Sequence, residues 1–310
     1  MRASAIAHPN IALSKYWGKR PGAANVPAVP SLSVTLSGLA TRTIVTFGDE
    51  PHDTLSINGA SVDATRATEL LDLVRHASGF EKRASVVSTN DFPTASGLAS
   101  SASGFAALAV AATRAAGLDW DSHRVADLAR RSSASAARSI LGGFVELDGE
   151  HVTQVAKPGH VDLRILVCVT TEAPKEVSSR SGMTITAERS PYYDAWVATA
   201  PLIHRQLKAA LLAGDVPAVG ALAERSALAM HASALAAGVV YVSGATLDAY
   251  AAVRKLRDEG LGAWATMDAG PHLKCIVEGR DATHVSERLA KVPGVLRVIE
   301  TVAGEGARLT

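Results

Sequence analysis

Cysteine is scarce in this chain. Only Cys168 and Cys275 occur in 310 residues, and both sit in apolar, strand-like runs. Buried free thiols follow more readily than a disulfide or a metal site, and a reducing cytoplasm fits them. An excess of one charge is missing too: 31 Lys and Arg stand against 30 Asp and Glu, a formal net charge of +1. That removes the electrostatic case for nucleic acid or an anionic membrane surface, so any anionic ligand must meet a local cluster. No apolar run approaches the length of a membrane span, and MRASAIAHPNIALSKYWGKR lacks the charged start, apolar core and cleavage site of a signal peptide. The chain has no GxxxxGK[ST], no GxGxxG after a strand, no HExxH, no GxSxG and no paired CxxC. P-loop and Rossmann nucleotide sites, zincins and serine hydrolases of the usual pattern are thereby excluded.

What is present suits a soluble globular protein, with 47% hydrophobic and 20% charged residues. The length suffices for two domains. Lys157-Pro158-Gly159 breaks the pattern, and the boundary is expected near residue 160, giving units 1–160 and 161–310.

The most informative stretch is Asn90 to Gly117, NDFPTASGLASSASGFAALAVAATRAAG. Small residues from Ala95 to Ser103 lead into an apolar run on helical spacing, Leu98, Phe105, Leu108, Ala109 and Ala112. A loop feeding a helix is predicted, whose uncovered first N–H groups favour an anion such as phosphate. Close packing against a strand accounts for the same small residues.

Near the N-terminus, Ser4–Ala7 reads as a strand, and NIALSKYWGKR sets Lys15 and Lys19 four apart on one face, with Tyr16 and Trp17 between them able to wall a site. Two solvated lysines with core aromatics is the plain alternative. Ser31–Phe47 alternates as a strand, Asn58-Gly59 marks a hairpin, and Asp63 and Gly79 bracket a helix carrying Leu70, Leu71 and Val74. Ala84–Ser88 is the strand entering the small-residue loop. A helix from about Ser122 ends in ARRSSASAARS; if helical throughout, it aligns Arg131, Ser135 and Arg138 as one stripe, either a ligand face or a solvated basic one.

A second hairpin turns at Asp148-Gly149, and Leu163–Thr170 opens the second half. There Ser190-Pro191 starts a helix that Pro201 should kink or split, and Asp215 and Thr246 open two more. Strands Gly262–Met267 and Leu273–Glu278, a helix from about Asp281 and a strand Gly294–Val302 complete it. Asp268 follows directly on an apolar strand, in Asp268-Ala269-Gly270-Pro271-His272. Such a segment is either a plain turn or the place from which a carboxylate enters a cleft as a general base. Ser178–Met183 reads as a ligand-covering loop or a linker.

Taken together, the blocks NIALSKYWGKR, SLSVTL, NDFPTASGLASSASG, SASAARSILGGFVE, SSRSGM, Met230-His231-Ala232 and DAGP, in this order over essentially the full chain, resemble the GHMP kinase superfamily and, within it, the mevalonate diphosphate decarboxylases. The resemblance implies a two-domain α+β fold, with an N-terminal half like the ribosomal S5 second domain, a ferredoxin-like C-terminal half and the active site in the cleft between them. It implies ATP-dependent decarboxylation of mevalonate 5-diphosphate to isopentenyl diphosphate, with Mg²⁺ accompanying ATP, and a homodimer; the expectation of a cytoplasmic protein that binds neither nucleic acid nor membrane comes instead from the cysteine use, charge balance and hydropathy above. By the same resemblance Asp268, Lys15 and Arg138 are catalytic, and Tyr16, Trp17, Lys19, Ser133, Ser135 and Arg138 face the phosphorylated mevalonate. Asn90, Ser96, Gly97, Leu98, Ala99, Ser100 and Ser101 would hold ATP, with Ser100 or Ser101 also on Mg²⁺.

Val29-Pro30 before Ser31, Ala134 between two serines and His272 after DAGP depart from the family pattern near the substrate side. The same chemistry on mevalonate 5-phosphate, or a mevalonate 3-kinase that stops before decarboxylation, are the enzymatic alternatives. A ligand-binding paralogue without activity is the alternative from another class.

Overall fold

The computed structural model describes every residue except 21, 23, 24, 93–99 and 174. In chain order the first part runs β1 (Arg2–Ala7), β2 (Asn10–Ser14), β3 (Ser31–Thr35), β4 (Thr41–Gly48), β5 (Thr54–Ile57), β6 (Ala60–Val62), α1 (Thr65–Ser78), β7 (Arg83–Asn90), α2 (Ser100–Ala115), α3 (Ser122–Ser132), α4 (Ala134–Leu141), β8 (Phe144–Asp148) and β9 (His151–Ala156). The second part runs β10 (Leu163–Val169), α5 (Ser179–Arg189), α6 (Tyr193–Leu212), α7 (Val216–Ala236), α8 (Gly244–Asp258), β11 (Ala263–Met267), β12 (Leu273–Glu278), α9 (Ala282–Leu289), β13 (Arg297–Val302) and β14 (Arg308–Leu309).

Among the described residues these strands form a six-stranded sheet, β14-β1-β4-β7-β5-β6, and two four-stranded sheets, β2-β3-β8-β9 and β11-β12-β10-β13. Alanine-rich α2 packs on the first sheet with α1, α3 and α4, and its small side chains let the layers approach closely over Val45, Leu70, Leu71 and Val86. A second core joins the halves, with Ile11, Leu13, Leu32 and Val34 from β2 and β3 against Ile165, Val167, Leu207 and Val219. β10 is buried on both faces, its even-numbered residues turning to a third core under α8 and α9. Cys168 and Cys275 are buried free thiols, as their apolar surroundings predict. No described helix is long and apolar enough to cross a membrane.

The Asn58-Gly59 hairpin has both residues at positive φ, 51° and 82°, which a two-residue turn between twisted strands requires. Four expectations are corrected. The alternating stretch from Ser31 is two strands, since Leu36 leaves the first to bridge Ala303. The helix from Ser122 ends at Ser132: Ser133 is extended at φ −153°, ψ 112°, and α4 starts anew behind it. Pro201 lies inside an unbroken α6; one lost bond to the carbonyl four residues back is outweighed by burial of Trp196, Ile203, Leu207 and Leu211 along that helix. Thr246 does not open α8. Ser243 is its N-cap, and Thr246 sits at the third position, completing a reciprocal capping box.

Candidate active site

The ends of β2 and β11, the starts of α2, α4 and α5, and α7 surround a cleft of about 690 Å³. At its floor Lys15, the residue after β2, donates from Nζ to Asp268 Oδ1 at 2.7 Å and to the Ala12 carbonyl at 2.7 Å. Asp268, the residue after β11, has its second oxygen 3.4 Å from Lys274 Nζ on β12. Both lysines are buried, whereas the Asp268 side chain keeps 24% exposure, so the carboxylate is the group the cluster presents.

Burial alone would raise the Asp268 carboxyl, but Lys15 and Lys274 together overcome it and hold the group well below the usual carboxylate range. Burial draws Lys15 down to about 8 despite its bond to Asp268. Arg138 falls to about 10 by burial, with Asp268 opposing. Behind this cluster His231 on α7 bonds the Met267 carbonyl through Nε2 at 3.3 Å, and burial, then Lys15, lower it to about 4. A neutral imidazole there adds no further positive charge beside Lys15.

One wall is α4. Asn10 Nδ2 donates to the Ser135 carbonyl at 2.9 Å and to Ser139 Oγ at 2.8 Å, while its Oδ1 accepts from Arg138 Nε at 3.3 Å. Arg138 Nη1 also donates to Ser31 Oγ at 2.5 Å. The guanidinium is thus oriented by β2 and β3 while lining the cleft with Ser133 and Ser135. Tyr16 and Trp17 line it as well. Trp17 packs edge-on against Tyr241, with ring centroids 5.8 Å apart, and burial lifts the Tyr16 phenol to about 12. At the rim Lys19 Nζ donates to Asn25 Oδ1 at 2.6 Å. Arg66 and Arg180 reach the same rim, and Lys19 and Arg66 are lowered by burial first and then by Arg180.

Two family models match the chain, a diphosphomevalonate decarboxylase-like N-terminal domain over residues 7–156 and a mevalonate 5-diphosphate decarboxylase C-terminal domain over residues 165–305. The chain belongs to the diphosphomevalonate decarboxylase family. It is 31% identical to the diphosphomevalonate decarboxylase of Candida albicans over 99% of this chain and 98% of that one. It is 38% identical to the phosphomevalonate decarboxylase of Haloferax volcanii over 84% of this chain and 82% of that one. A solved structure of MDDEF in complex with MVAPP, AMPPCP and magnesium superposes with a TM-score of 0.93 at 35% identity, covering 100% of this chain and 99% of that chain. The two-part α+β fold implied by the sequence blocks is therefore the fold of the molecule.

Set against this cleft, the sequence-derived candidates divide. Lys15, Tyr16, Trp17, Lys19, Ser100, Ser101, Ser133, Ser135, Arg138 and Asp268 all line it. Ser96, Gly97, Leu98 and Ala99 lie outside the described residues. Asn90 is not among the described lining residues: its Oδ1 accepts from Thr41 Oγ1 at 2.5 Å, which ties β7 to β4, and Thr41 in turn meets Ser103 of α2 at 2.7 Å. Arg131 does not share a stripe with Ser135 and Arg138. The break at Ser133 turns it outward, 51% exposed and paired with Asp127. Ser178–Met183 is neither cover loop nor linker but the N-cap and first turn of α5, with Ser178 Oγ accepting from Ser181 N at 3.0 Å.

Lys274, Lys175, Asn10 and Arg66 escaped the sequence reading. Lys175 Nζ reaches Ser179 Oγ at 2.8 Å and the Ala269 carbonyl at 3.1 Å. For Lys274 a signal existed. A lysine inside the apolar strand LKCIVE must find an anion when that strand is buried on both faces.

Proposed function

We propose that this cleft transfers the γ-phosphoryl group of ATP to the tertiary 3-hydroxyl of mevalonate 5-diphosphate. Loss of phosphate and carbon dioxide then gives isopentenyl diphosphate beside ADP. The observation that carries the reading is Asp268, half-presented to the cleft between two buried lysines and opposite Arg138.

A carboxylate this strongly stabilised in its charged form is a weak base, so Asp268 orients the hydroxyl as a hydrogen-bond acceptor. It receives the proton only as phosphoryl transfer makes that hydroxyl acidic. Lys15 keeps the carboxylate ionised and close to the reacting oxygen. Arg138 holds the substrate carboxylate. The carbon–carbon bond electrons then flow to the carbon that phosphate vacates, forming the double bond as carbon dioxide departs. Lys19, Ser133 and Ser135 meet the substrate phosphates, with Tyr16 and Trp17 as the wall beside them.

ATP approaches from the start of α2, where Ser100 and Ser101 line the cleft. The described residues contain no cluster of three His, Cys, Asp or Glu able to hold a metal. Ser100 or Ser101 would offer a hydroxyl to a magnesium ion carried on the nucleotide phosphates. When bound, such an ion would supply neutralising charge for the transferring phosphoryl group.

Preference for mevalonate 5-phosphate is the second reading. It is favoured by the Haloferax volcanii relative and by Ala134, which lines the cleft, whereas Val29, Pro30 and His272 are not among its described lining residues. Incubation with Mg-ATP and each of mevalonate, its 5-phosphate and its 5-diphosphate, measuring ADP and carbon dioxide, decides. Equal yields of both products with the diphosphate preferred are expected; ADP without carbon dioxide would sink the decarboxylase reading.

A further inference from the structure

A second polar cluster lies buried behind the strand that delivers Lys15. Ser14 Oγ is 2.9 Å from His204 Nδ1 on α6, and His204 Nε2 is 2.8 Å from Glu146 Oε1 on β8. Lys208, one turn along α6, donates to the same carboxylate at 2.9 and 2.7 Å. The sequence Ser, His, Glu is that of an acyl-transfer triad. Yet Ser14 is 2% and His204 3% exposed, and none of the three lines the cleft. The hydroxyl is also occupied, accepting from Leu32 N–H at 2.8 Å. No substrate reaches it, so the cluster acts on the protein itself.

Its position identifies what it acts on. Between β2 and β3 the register shifts, Ala12 facing Ser33 and Ser14 facing Leu32. At this bulge side chains take over ladder partners. Leu32 N–H goes to Ser14 Oγ, and the Ala12 carbonyl receives the Lys15 ammonium at 2.7 Å. Bulges beside active sites re-aim a side chain, and here the re-aimed residue is Lys15. Its own N–H is held by Ser226 Oγ at 2.9 Å from α7.

We propose that Ser14, His204 and Glu146 form a positioning relay for Lys15: Glu146 clamps His204, His204 holds the Ser14 hydroxyl, and that hydroxyl fixes the bulge that points the ammonium at Asp268. The relay rests on the reading that Lys15 and Asp268 are the catalytic pair.

The charged and titratable groups facing Lys15 are Asp268, Lys274 from β12, Arg138 from α4 and His231 from α7. Asp268 is the neighbour that raises the lysine. A loosened bulge therefore separates the pair and moves Lys15 deprotonation to lower pH. The test is the pH profile of decarboxylation, with kcat and KM, for Ser14→Ala, Ser14→Thr, Glu146→Gln and a control, Leu211→Ala, in the fully buried core beneath α6. Ser14→Ala lowers kcat ~10-fold with KM within about threefold and shifts the basic limb acidward by at least about half a unit. Ser14→Thr restores both, Glu146→Gln moves both in the same direction, and Leu211→Ala lowers Tm without moving the limb.

An unmoved limb with kcat within about twofold in Ser14→Ala overturns the relay, whatever happens to Tm. Should Ser14→Ala fail to fold, the near-isosteric Glu146→Gln is judged by the same two readouts. Failure of the underlying reading looks different. Asp268→Asn that keeps its turnover removes the catalytic pair, whereas an inactive Asp268→Asn with an unmoved Ser14→Ala profile removes the relay alone.

Discussion

Lys15 and Lys274 flank the two oxygens of Asp268 and hold its carboxyl well below the usual carboxylate range, whereas burial draws Lys15 down to about 8, so Lys15 is the member of the pair that titrates nearer neutrality. Below that value the lysine is charged and the pair complete; above it the ammonium is lost and Asp268 retains only Lys274. The rate profile is expected to be flat on the acid side of neutrality as far as Asp268 is concerned, with kcat/KM falling above pH 8, and an acid limb in the ordinary carboxylate range would overturn this assignment. Stability runs the opposite way. The folded value of Lys15 lies below its ordinary 10.5, so the unfolded chain binds more protons between about 8 and 10.5, and this group's contribution to stability rises with pH across that window. Asp268→Asn itself is expected to abolish turnover, by about 10³-fold or more, while substrate affinity by calorimetry stays within a few-fold.

The elements divide between those whose chemistry is local and those set by packing. The Asn58-Gly59 hairpin, the Gly79 helix end and the strand before Asp268 were all legible, because turn residues and alternation act within a few residues. The break at Ser133 was not. Nothing in ARRSSASAARS forbids a continuous helix, and what re-aims α4 is Asn10, some 125 positions away, holding the Ser135 carbonyl and the Arg138 guanidinium. The same break separates two arginines that looked equivalent. Arg138→Ala is expected to raise the KM for phosphorylated substrate and lower kcat/KM at least ~100-fold, whereas Arg131→Ala stays within about twofold in steady-state kinetics. α5 gives a further case. A Cβ on Gly182 would meet the Tyr241 hydroxyl and approach Trp17 at 3.1 Å, so the first turn of α5 rests directly on the aromatic wall. Gly182→Ala is expected to cost about 1–3 kcal/mol in denaturant unfolding despite alanine's better helix propensity, and to raise substrate KM as Trp17 shifts.

Across the whole molecule the last residues close a circuit that a reading ending the final strand at Val302 left open. Beyond that strand the chain turns back to the first half. Ser37 N bonds the Val302 carbonyl at 2.8 Å, Gly304 N bonds Thr35 O at 2.8 Å, and Gly143 N bonds Gly304 O at 2.8 Å. Ala307 N then reaches the carbonyls of Ser139 and Ile140 at 3.2 and 3.1 Å, and β14 joins β1 at the sheet edge. Small, weakly patterned residues in GEGARLT hide this from the sequence, because backbone groups rather than side chains make the contacts. The Ala307 bonds fall on the last turn of α4, the helix that carries Ser135 and Arg138. Loosening the tail should therefore reach the substrate side of the cleft before the nucleotide side. A Cβ on Gly306 would overlap the Ile140 carbonyl, so Gly306→Val pushes tail and α4 apart without deleting any ladder bond. It is expected to raise the KM for the phosphorylated mevalonate ~10-fold while the KM for ATP changes less than about twofold. Deletion of residues 304–310 is expected to do the same and also lower Tm by several degrees through the lost β14 pairing. Equal damage to both KM values would mean that the tail supports the fold as a whole and not α4 in particular.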